Sequence, residues 1–130
     1  MKYFYPAVIE KTKEGYEVYF PDIKGCATSG DSLQEALLNA EDALSLMLWD
    51  MEEKQEVIPV ASETSAIKCK KNEIVNLVPA DTMEYRRLYD NKAVKKTLSI
   101  PKWLDTLAQR KNVNFSNVLQ KGLMREIGCL

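Results

Sequence analysis

The chain has no histidine among its 130 residues. This removes imidazole, the commonest general base at neutral pH, and the Cys-His pairing that activates a thiol nucleophile. Cysteine is also scarce. Cys26, Cys69 and Cys129 are odd in number, scattered and without a CxxC, which argues for reduced thiols over a disulfide framework or a zinc site. Cys26 reads as a small, partly buried packing residue. No apolar run approaches the roughly 18 to 20 residues of a membrane span. The start, Met1-Lys2-Tyr3-Phe4-Tyr5-Pro6, lacks the apolar block of a secretion signal, so a cytoplasmic location is expected. Internal repeats and low-complexity tracts are missing too.

What is present is charge, and it is divided. The formal net charge is only -1. Residues 1 to 91, however, hold 10 Lys+Arg against 17 Asp+Glu, a net -7, and residues 92 to 130 hold 8 against 2, a net +6. Phosphate neutralisation needs Lys and Arg close together, so a basic tail on an acidic body fits a nucleic-acid-binding appendage on a domain with other work. Two solvated faces that happen to segregate would give the same totals.

The body reads as α+β. Tyr3 to Lys11 and Tyr16 to Phe20 are rich in aromatic and β-branched residues. They flank Thr12-Lys13-Glu14-Gly15, which signals a β-hairpin. Pro21-Asp22 closes the second strand, and the loop from Ile23 to Asp31 has room for a short strand around Cys26 to Ser29. Ser32-Leu33-Gln34-Glu35 is a capping box. It opens a helix whose apolar positions Leu33, Ala36, Leu37, Ala40, Ala43, Leu44, Met47, Leu48 and Met51 make one stripe for packing on the sheet. Residues 56 to 71 read as a connection with a short extended piece, and Ile74 to Pro79 as a returning strand. Asp81-Thr82-Met83-Glu84 caps a short helix to about Tyr89, followed by the linker Asp90-Asn91-Lys92-Ala93. The domain plan is therefore 1–80 as the α+β body, 81–93 as a short helix and linker, and 94–130 as a separate tail.

The tail begins with Val94-Lys95-Lys96-Thr97-Leu98-Ser99-Ile100-Pro101. Period-two alternation sends Lys95, Thr97 and Ser99 to one face and Lys96, Leu98 and Ile100 to the other. A lone strand has nothing to pair with, so its expected partner is the same strand of a second copy. Such a two-stranded ribbon fits the major groove and presents polar side chains to base edges. Pro101 suits the first turn of a helix, in which Trp103, Leu104, Leu107 and Ala108 share one side. Asn112-Val113-Asn114 is turn chemistry. Either Asn114 or Ser116 caps the last helix, with Val118, Leu119, Leu123 and Ile127 at helical spacing and Gly122 on the same side, where it suits a close helix crossing. Two helices this short cannot close a core, so Leu98, Ile100, Trp103, Leu104, Leu107, Val118, Leu119 and Leu123 are expected in the core of a dimer. The pattern is that of a ribbon-helix-helix unit. Base contacts fall to Lys95, Thr97 and Ser99, and phosphate contacts to Lys92, Lys102, Lys121 and the helix start at Asn114, Phe115, Ser116 and Asn117.

The order strand, Pro21-Asp22-Ile23-Lys24-Gly25-Cys26, Gly30-Asp31-Ser32, capped helix with Asn39-Ala40 and Ala43-Leu44 resembles the HicB family of antitoxins from bacterial type II toxin-antitoxin systems. Together with the tail, the resemblance spans nearly the entire chain. Lys24 stands where proline would be common, which affects only the local loop. The resemblance implies a degenerate RNase H-like body that binds a HicA-like, mRNA-cleaving toxin, and a tail that represses its own operon by gripping operator double-stranded DNA as a homodimer, with a tetramer left open. Asp22, Ser29, Asp31 and Glu35 are the candidate toxin contacts. No cofactor, metal or membrane is expected, and no catalysis. A two-metal nuclease would need converging carboxylates, and of those available, Asp31 reads as a helix N-terminal charge and Glu41 and Asp42 as a solvated helix face. The alternative reading is a stand-alone ribbon-helix-helix repressor with a ligand-sensing body.

Overall fold

The computed structural model describes residues 1–129. The chain divides into two compact units, Met1–Lys92 and Ala93–Leu130.

In the first unit the hairpin forms between β1 (Lys2–Lys11) and β2 (Tyr16–Tyr19), with Val8 opposite Tyr19 and Glu10 opposite Glu17. Thr12 N–H donates to the Gly15 carbonyl across the turn, 2.8 Å. A third strand, β3 (Ala27–Gly30), pairs with β2, and β4 (Glu73–Asp81) pairs with β1 along nearly its whole length. All pairings are antiparallel, and the order is β3-β2-β1-β4. Pro79 lies in an edge strand, where a missing amide hydrogen is tolerated.

The long helix α1 (Leu33–Glu53) starts where the capping box places it, the Ser32 hydroxyl accepting from Glu35 N–H at 3.1 Å. Its stripe Ala36, Ala40, Leu44 and Leu48 is buried against Tyr5, Ala7, Ile9, Val18, Phe20, Val78 and Ala80 of the sheet. Leu33, expected in the stripe, stays more exposed at the helix start. Small residues let helix and sheet approach closely. A Cβ on Gly30 would lie 2.4 Å from the Ala36 nitrogen. Gln55, at φ 56°, ends α1 in the left-handed region, with Gln55 N–H on the Glu52 carbonyl and Glu56 N–H on that of Met51, the paired bonds of a Schellman motif.

Residues 56 to 71 form a connection without a paired strand, with Glu63 and Ile67 in extended conformation. The segment holds a single 3₁₀ turn, Thr64–Ala66, and is tied to the body by side chains. The Tyr5 hydroxyl donates to the Pro59 carbonyl, and Asp22 accepts from Ser62 N–H at 2.9 Å and from its hydroxyl at 2.5 Å. The short helix α2 (Thr82–Tyr89) is capped by Asp81 and packs on α1, with the Trp49 and Tyr85 rings 5.5 Å apart. Glu52 gathers Tyr3 OH (2.7 Å), Thr82 OH (2.9 Å) and Arg86 (3.3 Å) at this junction. Burial, reinforced by the bond to Glu52, pushes the Tyr3 phenol up to about 12.

The second unit contains α3 (Lys102–Arg110) and α4 (Phe115–Glu126). Asn112, at φ 54°, occupies the left-handed position after α3, with Asn112 N–H on the Gln109 carbonyl and Val113 N–H on that of Ala108. Gly128 ends α4 in the same way. Asparagine and glycine tolerate this conformation best, which is why the turn falls where it does. None of residues 93 to 129 is buried in the single chain.

Candidate nucleic-acid and partner interfaces

Residues 91 to 100 are exposed and form no strand within one chain. The strand expected over 94 to 100 is therefore absent from the isolated protomer, because ladder hydrogen bonds need a neighbour and this unit supplies none. Lys92, Lys95, Thr97 and Ser99 are all exposed there, and Lys102 is exposed at the first residue of α3.

The start of α4 resolves the choice of cap: Asn114 is the N-cap, its side chain accepting from Asn117 N–H at 3.1 Å. The Asn117 amide is already engaged, which leaves the amides of Phe115 and Ser116 as the free donors of the first turn among the described residues. Lys121 is exposed one turn further on. Gly122, expected at a close helix crossing, has nothing within 4 Å of where a Cβ would stand. Within one protomer no such crossing exists, so any use of that gap requires another chain.

The residues expected in a dimer core share this exposure. Leu98, Ile100, Trp103, Leu104, Leu107, Val118, Leu119 and Leu123 are all exposed large hydrophobics, Trp103 at 65%. A soluble protein rarely leaves so many apolar side chains open on so small a unit unless they are covered by a partner.

In the body, Asp31 and Glu35 are exposed at the β3–α1 junction, and Ser29 is exposed on β3 with its carbonyl accepting from Asn39 Nδ2 at 2.9 Å. Asp22 differs from these three, since both its carboxylate oxygens are held by Ser62. Sequence spacing gave no hint of that bond across 40 positions. Glu41 and Asp42 are exposed on α1 and border a groove walled by Glu84, Tyr85 and Tyr89. The Tyr85 phenol is raised, first by burial and then by the Asp42 charge. No group of three or more potential ligands able to hold a metal ion occurs among the described residues. No disulfide joins Cys26, Cys69 and Cys129, and burial pushes Cys26 up to about 11, far from a reactive thiolate. No helix among the described residues is long and apolar enough to cross a membrane.

A family model described as "HicB_like antitoxin of bacterial toxin-antitoxin system" matches residues 5–122. A protein of Haemophilus phage HP1, named only "Uncharacterized 14.9 kDa protein in rep-hol intergenic region", is 47% identical over 55 residues, 42% of this chain and 41% of its own length. The chain thus spans about two fifths of that relative. Among solved structures, one described as "Toxin-Antitoxin complex from Streptococcus pneumoniae" is similar at a TM-score of 0.64 and 28% identity, covering 97% of this chain and 99% of the other. Another, "HicA3 and HicB3 toxin-antitoxin complex", is similar at a TM-score of 0.52 and 27% identity, covering 61% of this chain and 99% of the other.

Proposed function

Because the chain belongs to the HicB-like antitoxin family of bacterial toxin-antitoxin systems, we propose that it acts by binding alone, on two targets. The acidic body, a degenerate RNase H-like layer, neutralises a HicA-like ribonuclease toxin. The basic tail, a ribbon-helix-helix unit, dimerises and represses the operon at its operator. The division into a body of 1–80, a connecting helix and linker of 81–93 and a tail of 94–130 belongs to this reading.

The observation that carries it is the lack of any buried residue among the tail's described residues, beside an apolar face on both its helices. A second copy would cover that face and pair residues 94 to 100 into a ribbon. Lys95, Thr97 and Ser99 would then face base edges from one side of the ribbon, and Leu98 and Ile100 would face the helices. Lys92, Lys102, Lys121 and the free amides of Phe115 and Ser116 would grip phosphates on either flank. For the toxin, the body's net -7 supplies steering toward a basic ribonuclease, and Asp22, Ser29, Asp31 and Glu35 are the proposed contacts.

Mobility shift with the DNA upstream of the toxin-antitoxin gene pair, together with co-purification of the adjacent toxin, tests both halves. Full-length protein should do both. Residues 1–92, which carry their own core, should retain the toxin and its inhibition and lose the DNA. If the tail alone protects RNA from the toxin and the body does not, the roles are reversed.

A further inference from the structure

Between α1 and α2 the body carries a groove that its proposed function leaves unused. It encloses about 190 Å³, several times the roughly 30 Å³ share of one water. Glu41 and Asp42 line it from α1, and Asp81 and Glu84 from the start of α2. The two helices are held together by the Trp49–Tyr85 ring pair and by Arg86 on Glu52 and Glu53. No Lys or Arg forms an ion pair with any of the four lining carboxylates among the described residues. Asp81 is partly engaged, since one of its oxygens caps α2 by accepting from Met83 and Glu84 N–H.

Acidic clusters are ordinary on solvated helices, but two further features set this groove apart. Ser45 lines it while only 6% exposed. A serine within a helix usually bonds a carbonyl one turn back or turns to open solvent. The Ser45 hydroxyl makes no hydrogen bond among the described residues, and it is not sealed in as the unpartnered Trp49 Nε1 is. Nine-tenths buried, it opens only on the groove. The second feature is aromatic: the Tyr85 and Tyr89 rings, 4.5 Å apart, line the same space together with the exposed Leu88. The Asp42 charge acts on the Tyr85 phenol, so carboxylate and ring share one environment.

This combination selects the chemistry of an occupant. Carboxylates exclude anions. A bare metal ion needs ligands converging on one point, and no group of three or more potential ligands able to hold one occurs among the described residues. Ring faces attract an organic cation, and an exposed leucine suits its carbon stem. Carboxylates on both walls call for more than one positive charge. We propose that the groove binds an aliphatic polyamine, its ammonium groups among Glu41, Asp42 and Glu84, one N–H donating to the Ser45 hydroxyl, and its methylene stem against Tyr85, Tyr89 and Leu88. These residues are distinct from the proposed toxin and DNA contacts, so the site stands or falls apart from that reading.

Calorimetry of the full chain with putrescine, spermidine, n-butylamine and magnesium chloride tests it. Putrescine and spermidine should bind one per chain, and n-butylamine, with the single charge of a lysine side chain, about tenfold more weakly. Asp42→Asn should weaken spermidine binding by about tenfold and Ser45→Ala, which suits a helix, by about threefold. Glu17→Gln removes the same charge from β2 and should leave binding unchanged. Failure of the parent chain to bind spermidine overturns the proposal, as does magnesium binding equally tightly or an equal loss for Glu17→Gln, either of which would reduce the groove to diffuse negative charge. Equal affinity for n-butylamine also overturns it, because a one-charge site fits a protein lysine as well as a polyamine.

Discussion

The two units use the same kind of helix to opposite ends. In the body, Leu44 and Leu48 are wholly buried on the sheet, whereas in the tail Leu104 and Leu119, on helices just as plainly amphipathic, are 41% and 37% exposed. The difference is the partner layer. The body carries its own in β1 to β4, and the tail has only another short helix and a segment, 91 to 100, that forms no strand within one chain. An apolar stripe therefore predicts burial without saying in which chain the covering layer lies.

The sharpest way to break the comparison is to make the same cut in both units. Leu44→Ala should destabilise the body by about 2 to 5 kcal/mol, with a melting temperature indifferent to protein concentration. Leu107→Ala should lower a melting temperature that itself rises with concentration, since it weakens an association. Calorimetry over a hundredfold concentration range distinguishes the two, and concentration-independent melting of the parent tail would erase the contrast.

Next in size is the effect on DNA. Thr97→Ala should cost about 1 to 3 kcal/mol on the operator and little on random DNA, as expected for a base contact. Replacing Lys121 should weaken both DNAs alike and reduce the salt slope by about one unit. Equal losses on both DNAs for Thr97→Ala and Lys95→Ala would remove the extended segment as the reading element.

Much of this contrast is legible in the sequence where its cause is local. The hairpin turn, the Ser32 and Asp81 caps and the α1 stripe all depend on residues within a few positions of one another. The Asp22–Ser62 bond and the meeting of Tyr3, Thr82 and Arg86 on Glu52 depend on chain returning from 30 or more positions away, which no spacing encodes. The engaged Asn117 amide follows from the choice between two possible caps, and residue type alone left that choice open.

Smaller effects refine the picture. Asn114→Ala removes the α4 cap and should cost about 1 kcal/mol of dimer stability, read as a modest fall in the tail's melting temperature. In the body, Tyr3 has a folded pKa raised from 10.0 to about 12, so the native state holds its proton more tightly than the unfolded chain. Its contribution is intact below pH 10 and falls as pH rises from 10 toward 12. Denaturant titrations at pH 9 and 11 should show this loss in the parent and a smaller one in Tyr3→Phe; equal losses would remove Tyr3 as the source.

The central claim is that the tail completes its core only with a second copy. Sedimentation equilibrium of the full chain at micromolar concentration tests it directly. The account predicts a dimer or a multiple of one, reduced to a monomer by Leu107→Lys with the body still folded; a monomeric parent chain would contradict it.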